Sequence, residues 1–181
     1  MEAQRYLTAD QIEKLRKAAK STGRHGCRDS TLILTMFRHG LRVTEAINLT
    51  WKDVALDDRA PSMFVHRLKG STSTSQPVKG DEIRALRKLK RLYPSSPQVF
   101  CNERRNPMTP RGVQLVIKRA GVIAGFEQRI HPHMLRHSCG YYLAEKGFDT
   151  RMIQDYLGHR NIQHTVHYTA ANSERFNKIR W

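Results

Sequence analysis

Hydrophobic residues recur at helical spacing along most of the chain. Thr8 and Gln11 have the spacing of a capping box, and the apolar residues after them fall on one face, which predicts a first helix from about Ala9 to Lys20. A second apolar block, Leu32 to Phe37, predicts a buried helix that ends at His39-Gly40. The first part of the chain is therefore expected to be helical.

The period changes after Trp51, where apolar and polar residues alternate over a short stretch. The alternating apolar residues are Val54, Leu56, Met63, Val65 and Leu68. Segments rich in Asp, Pro, Gly, Ser and Thr bound them, as is typical of strands joined by turns. We therefore predict a small antiparallel sheet whose last hairpin has a Ser/Thr-rich tip.

Helical spacing returns at Asp81, where an apolar stripe lies among basic residues. The members of this stripe are Ile83, Leu86, Leu89 and Leu92. Capping and breaking residues predict the remaining helices. These begin near Val43, at Thr109 (to about Ala124), at Pro132 (to Gly147), at Asp149 or Thr150 (to Leu157, with Gly158 after it) and at Ser173. Together the patterns predict an α+β fold that is mainly α-helical.

The length and composition are those of one packed domain. The 181 residues are 39% hydrophobic, and the apolar residues come in short blocks rather than in a run that could cross a bilayer. The opening segment, MEAQRYLTAD, is charged and lacks the apolar stretch of a signal peptide. The three cysteines are widely spaced and contain no CxxC pair, so we interpret them as reduced structural thiols. We expect a single domain, residues 1–181, that stays in the cytoplasm.

A large excess of positive charge points to a polyanionic partner. The chain has 32 Lys and Arg against 16 Asp and Glu, a net charge of +16 and a pI near 10.3. A basic helix face is often only solvated, but combined with this net charge it makes nucleic acid the leading partner. The candidate DNA-binding residues are Arg84, Arg87, Lys88, Arg104, Arg105, Arg111, Lys118 and Arg119.

Four short segments carry the candidate chemistry. They are GLRVTE (Gly40 to Glu45), RLKG (Arg67 to Gly70), HMLRH (His133 to His137), and LGHRN followed by Tyr168. His133 and Arg136 are three positions apart, which places both on one helix face, where they can present two donors to one anion. Three histidines in this region, His131, His133 and His137, offer zinc ligation as a rival, but Pro132 interrupts their geometry and no nearby cysteine or carboxylate completes a tetrahedral site.

Tyr168 stands in a polar context, HTVHYTA. Because its sequence neighbours are polar, we predict that it is less suited to a core position than Tyr141 or Tyr142, which sit beside Leu143. An exposed tyrosine is available for chemistry, although most surface tyrosines are inert.

Taken in order, these motifs resemble the tyrosine recombinase, or phage integrase, family. The resemblance covers the chain from about Leu7 to Tyr168, and the stretch from His133 to Ala170 is most similar to the short bacterial recombinases that invert a fimbrial promoter segment. It implies the family's catalytic-domain fold and metal- and ATP-independent strand transfer without a cofactor. Most relatives carry an additional N-terminal DNA-binding domain, and we expect this chain to lack it.

The resemblance also implies a role for each motif residue. Arg42 and Arg136 clamp the scissile phosphate, and His159 donates to a non-bridging oxygen. Tyr168 attacks phosphorus, Lys69 protonates the departing 5′ oxygen, and His133 orients or assists proton transfer. Glu45 braces Arg42 or its helix rather than reacting. Guanidinium groups suit this chemistry because they are always charged and present a planar fork of donors. The acidic pairs Asp57–Asp58 and Asp81–Glu82 fall in a predicted turn and at a helix start, where solvation or capping explains them without metal binding.

The implied partners are double-stranded DNA with inverted-repeat sites, a second copy of the chain on each site, and a tetramer when two sites meet. Host DNA-bending proteins are further candidates. Inversion of a fimbrial promoter segment is the expected outcome, with integration or excision of a mobile element as the alternative. A non-catalytic DNA-binding regulator is the rival from another class. The segment Asn172 to Trp181 is either an assembly contact or a tail packed on its own core.

Overall fold

Helices account for most of residues 5–67 and 71–170, the part of the chain that the structure, a computed structural model, describes. The helices are α1 (Ala9–Lys20), α2 (Gly26–Arg38), α3 (Val43–Asn48), α4 (Asp81–Leu92), α5 (Pro110–Ile123), α6 (Pro132–Glu145), α7 (Thr150–Leu157) and α8 (Gln163–Ala170). The strands are β1 (Val54–Ala55), β2 (Ser62–Val65) and β3 (Thr74–Pro77). The predicted fold, mainly α-helical with a small antiparallel sheet, is confirmed.

Side-chain caps fix where several helices begin. Thr8 and Gln11 form the predicted capping box at the start of α1. The hydroxyl of Thr109 accepts a hydrogen bond from the backbone N–H of Gly112, and the carboxylate of Asp149 accepts one from Met152. Each bond satisfies a backbone donor that a helix start leaves without an intrahelical acceptor. The predicted starts at these positions are therefore confirmed.

Helix α2 forms the centre of the core. Its residues from Ser30 to Phe37 are buried on all sides, and it packs against α1, α4 and α6. A helix buried on every face is apolar over most of its surface, and its buried polar groups are hydrogen-bonded. The hydroxyl of Thr35, inside the apolar block, accordingly donates to Glu82 at 3.0 Å. The predicted buried helix is confirmed, although it begins earlier than the block, at Gly26.

The sheet has the order β1-β2-β3, and both strand pairs are antiparallel. Met63 and Val65 of β2 are buried, whereas Phe64 between them is exposed. This alternation continues past the end of the strand, because Arg67 is also buried. The sheet thus directs an arginine toward the interior.

Two features of individual elements were not predicted from the sequence. Leu92, the last member of the predicted apolar stripe, is 46% exposed because α4 ends there, while Leu86 and Leu89 are fully buried. Helix α8 was not predicted, since its polar sequence has no clear apolar period. It packs against α6 and α7 and carries Tyr168 into their interface. No helix among the described residues is long and apolar enough to cross a membrane.

Candidate active site

The carboxylate of Glu45 lies at the centre of a buried cluster of arginines. One oxygen accepts a hydrogen bond from the Arg42 guanidinium at 2.6 Å, and the other accepts from the Arg42 backbone N–H at 2.9 Å and from Arg67 at 2.7 Å. Burial alone would raise the pKa of Glu45, but Arg67, the hydrogen bonds from Arg42, and Arg136 outweigh it and hold the pKa below its usual value. Glu45 is therefore ionised, and its carboxylate holds the Arg42 guanidinium in place.

Arg42 differs from the other two arginines in being open to solvent. It caps the N-terminus of α3, and its side chain is 29% exposed. Its bond to Glu45 uses one guanidinium nitrogen, and within the described residues the side chain makes no other hydrogen bond. Most of its donor fork remains available to an anion.

Arg136 of α6 lies deeper and ties two loops together. Its guanidinium donates to the carbonyl oxygens of Gly40, at 2.6 Å, and Leu157, at 2.7 Å. Burial, with repulsion from Arg42 and Arg67, lowers its pKa to about 10, so it remains charged at neutral pH. Gly40 has a φ of +56°, and a Cβ there would clash with a methyl of Leu157, so this close approach requires glycine.

His159 follows the left-handed Gly158 that ends α7. Its Nδ1 is 2.8 Å from the hydroxyl of Thr165. Burial, together with the charges of Arg136 and Arg42, lowers its pKa to about 3. The imidazole is therefore neutral at physiological pH, and one of its nitrogens carries a hydrogen that can be donated.

Tyr168 is buried, contrary to the prediction that it would be exposed. It is 1% exposed, whereas Tyr142, one of the two tyrosines judged better suited to a core, is 36% exposed. On α8 the residues that share the inner face are Thr165, Tyr168 and Thr169, so the polar neighbours in sequence lie mostly on other faces. Burial raises the pKa of Tyr168 to about 12, although the nearby charge of Arg136 opposes this shift.

The hydroxyl of Tyr168 is hydrogen-bonded to His137, which sequence reasoning did not assign to the site. His137 Nδ1 lies 2.9 Å from the tyrosine oxygen. Burial, then His167 and His133, lower the pKa of His137 to about 4, so its ring is neutral. Its place directly after Arg136 was visible in sequence, but the contact depends on how α8 packs against α6. Among the described residues no group of three or more His, Cys, Asp or Glu is placed to hold a metal ion.

Two predicted residues are not brought into this cluster by the described contacts. His133 is exposed in the first turn of α6, and the described part of the chain offers it no hydrogen bond or ion pair. Its ring lies 6.5 Å from that of His131. Lys69 lies outside the described residues, as does the segment Asn172 to Trp181 with the helix predicted from Ser173.

Arg67 is the second functional candidate that sequence reasoning missed. Its side chain is fully buried and bonds to Glu45. The strand alternation offers a signal that could have found it, since residues 63, 65 and 67 point to the same face of β2 and its extension. An arginine at an inward position is costly unless it is paired, and is therefore informative.

The candidate DNA-binding residues are all exposed. Two of them already have partners: Arg87 donates to the carbonyl of Leu56 at 2.8 Å, and the guanidinium of Arg105 lies 5.0 Å from the ring centre of Tyr93. The remaining six make no ion pair with any described residue. These six are Arg84, Lys88, Arg104, Arg111, Lys118 and Arg119.

The fold is that of the catalytic domain of site-specific DNA recombinases. A solved XerA recombinase superposes with a TM-score of 0.82 at 26% identity, covering 97% of this chain and 66% of that one. XerH recombinase bound to its difH substrate, in a pre-cleavage complex, gives a TM-score of 0.77 at 25% identity, covering 92% of this chain and 50% of that one.

The chain belongs to the phage integrase family, whose model matches residues 5–175. Among its relatives, the type 1 fimbriae regulatory protein FimB of Escherichia coli K12 is 46% identical over 94% of this chain and 86% of its own length. The type 1 fimbriae regulatory protein FimE of the same strain is 40% identical over 97% of this chain and 90% of its own length. Tyrosine recombinase XerC of Xanthomonas axonopodis is 34% identical over 85% of this chain and 50% of its own length. The family resemblance stated from the motifs is confirmed.

Proposed function

We propose that this protein is a site-specific DNA recombinase that cleaves and rejoins DNA through a 3′-phosphotyrosyl link on Tyr168. The observation that carries the proposal is the grouping of Arg42 and Arg136 beside the ionised Glu45, with His159 within reach of their charges and the ring of Tyr168 6.4 Å from that of His159. The phosphodiester needs a nucleophile, neutralisation of its charge and a proton for its leaving group. These residues supply the first two.

Arg42 and Arg136 bind the non-bridging oxygens of the scissile phosphate. The partly exposed guanidinium of Arg42 bonds to one oxygen of Glu45, and a terminal nitrogen of Arg136 lies 3.9 Å from the other. Because guanidinium groups held in place need no reorganisation as charge develops, they stabilise the transition state directly. His159 donates a hydrogen bond from its neutral ring to the same phosphate.

Tyr168 attacks phosphorus and displaces the 5′ oxygen of the next nucleotide. The oxygen–phosphorus bond to tyrosine forms as the bond to that 5′ oxygen breaks, so the energy for rejoining is retained without ATP. The tyrosine loses its proton during attack, and Lys69 protonates the departing oxygen. His133 orients or assists proton transfer from the first turn of α6.

The biological outcome is inversion of a DNA segment that controls fimbrial expression. This rests on the relatives named as type 1 fimbriae regulatory proteins, which match this chain over nearly its whole length. The protein binds inverted-repeat DNA as a homodimer, joins two sites as a tetramer and uses host DNA-bending proteins. The reaction takes place at the nucleoid in the cytoplasm.

A suicide-substrate assay tests the chemistry. Inverted-repeat DNA that the protein binds in a gel shift is nicked next to the cleavage position, incubated with protein in EDTA and resolved on a denaturing gel. We expect a covalent protein–DNA band from the wild type and none from Tyr168→Phe. Tyr142→Phe is the matched control, because Tyr142 lies on the exposed side of α6, and it should give the wild-type band.

The alternatives give different results. Tight binding by the wild type without a covalent band would identify a DNA-binding regulator on this fold. A band that persists in Tyr168→Phe would assign the nucleophile to another residue. In a separate assay on an intact plasmid with two sites, joined products from directly repeated but not from inverted sites would favour integration or excision over inversion.

A further inference from the structure

Arg67 has the most completely buried guanidinium in the neighbourhood of Glu45, and none of the motif roles accounts for it. Its side chain is 0% exposed. Desolvation of a charged group costs several kcal/mol, so a buried arginine persists only where good hydrogen-bond geometry offsets that cost. Even a conservative replacement of Arg67 is therefore expected to impair the function of the residues that it bonds.

The four hydrogen bonds of Arg67 reach three separate parts of the fold. Nη1 donates to Glu45 at 2.7 Å and to the carbonyl of Gly40 at 3.3 Å. Nη2 donates to the carbonyls of His39, at 2.8 Å, and Tyr156, at 2.6 Å. One side chain thus joins the end of α2, the start of α3 and the end of α7 to the strand that precedes it.

These acceptors lie immediately beside the residues that bind phosphate in the proposed function. Gly40 also accepts from Arg136, and Glu45 also accepts from Arg42. Arg67 also holds the Tyr156 carbonyl in the last turn of α7. This turn leads through Gly158 to His159. A Cβ at Gly158 would come within 2.8 Å of the Arg67 side chain, so the turn rests directly on it.

The hydrogen bonds of Arg67 show that it is not a residue that binds phosphate directly. Its two terminal nitrogens carry four N–H groups, and all four are donated to protein acceptors. Its remaining donor, Nε, is buried without a hydrogen-bond partner among the described residues. Arg42, by contrast, is partly exposed and commits one terminal nitrogen to Glu45. Arg67 can hold the site together but cannot reach a ligand in solvent.

We propose that Arg67 is a positioning residue of the strand-transfer site. It fixes Glu45, which in turn holds Arg42. It also fixes the turn at Gly40, which accepts a hydrogen bond from Arg136, and the end of α7, which leads to His159. This rests on the proposed function. Its backbone N–H also donates to Ser73 at 3.1 Å, which ties the two described ends of the hairpin to this anchor.

The test compares Arg67→Lys and Arg67→Met with wild type in single-turnover cleavage of the nicked substrate at saturating DNA. A displacement of about 1 Å in the groups that contact a reacting centre lowers rates by about 100-fold, and we expect a loss of that size in both variants. Lysine keeps the charge but cannot make four bonds in a fork, so it should not rescue the rate. DNA affinity in a gel shift should stay close to that of wild type, because Arg67 touches no solvent.

Arg28→Lys is the matched control. Arg28 is also buried, and it bonds to Asp29 and to the Cys101 carbonyl at the opposite end of α2 from Gly40. Thermal unfolding of every variant, followed by circular dichroism, sets an assay temperature at which all are folded. Arg28→Lys should lose stability and keep its cleavage rate, whereas the Arg67 variants should lose rate while folded.

A double-mutant cycle tests the route through Glu45. If Arg67 acts by holding Glu45, Arg67→Met should cost much less in a Glu45→Gln background than in wild type. Additive losses, or folded Arg67 variants that cleave at the wild-type rate, would overturn the proposal while leaving the recombinase function intact. Absence of a covalent product from the wild type itself would overturn both.

Discussion

The hydroxyl of Thr165 is placed to set which nitrogen of His159 can donate a hydrogen bond. The pKa of the histidine is lowered to about 3, first by burial and then by Arg136 and Arg42, so the ring holds a single proton through the neutral range. Thr165 is 0% exposed and its hydroxyl lies 2.8 Å from Nδ1. When that hydroxyl donates to Nδ1, the proton resides on Nε2, the nitrogen that is left to meet phosphate.

Replacing Thr165 with valine should therefore impair catalysis with little change in shape. Without the hydroxyl, the proton is free to move to Nδ1, and we expect the cleavage rate to fall about tenfold, which corresponds to about 1.4 kcal/mol of transition-state stabilisation. Single-turnover cleavage measures the rate, and nitrogen NMR shifts of His159 report its tautomer. Thr165→Ser, which keeps the hydroxyl, should retain both; a wild-type rate in Thr165→Val would show that this bond does not set the tautomer.

At the scale of elements, the position of the nucleophile depends on α8 packing against α6. Gly140 makes this packing possible, because a Cβ there would lie 2.6 Å from the ring of Tyr168. The same interface brings the hydroxyl of Tyr168 to His137 and its ring edge to Tyr141. In this arrangement the tyrosine is protonated and shielded from solvent.

Gly140→Ala should separate the two helices despite the higher helix propensity of alanine. That propensity favours the variant by about 1 kcal/mol in an exposed helix, but overpacking of a filled interface typically costs about 1 to 3 kcal/mol. We expect a net loss of unfolding free energy in urea and less covalent product. Gly112→Ala in α5, where a Cβ meets its nearest atom at 3.2 Å, is the control and should be close to neutral. Equal stability of the two variants would contradict the close packing.

Local signals predicted most of the elements, and tertiary contacts explain what they missed. Thr8 and Thr109 predict the starts of their helices because each hydroxyl bonds to a backbone N–H only three residues later. Tyr168 could not be placed, because its burial depends on a glycine 28 positions earlier in another helix, as the residue numbers 168 and 140 show. The motif order gave Arg42, Arg136 and His159, but the bonds of Arg67 to three distant segments follow from no local pattern.

At the scale of the whole molecule, the net charge of +16 favours binding to any DNA. This attraction depends on salt, because each phosphate that a lysine or arginine neutralises releases counterions. The structure divides the candidate DNA-binding residues into those already engaged by protein groups and those that are not. Arg87 belongs to the first group through Leu56 and Asp57, and Lys118 of α5 belongs to the second.

Lys118→Gln and Arg87→Gln remove the same charge but should have different effects. If Lys118 contacts phosphate, its loss weakens binding to all sequences and reduces the slope of log Kd against log salt by about one. Arg87→Gln should change that slope less, since its guanidinium is held by the Leu56 carbonyl and lies 3.6 Å from Asp57. Fluorescence anisotropy over a range of salt concentrations, with specific and unrelated duplexes, measures both. Equal slopes in the two variants would show that net charge, rather than the availability of individual side chains, governs the binding.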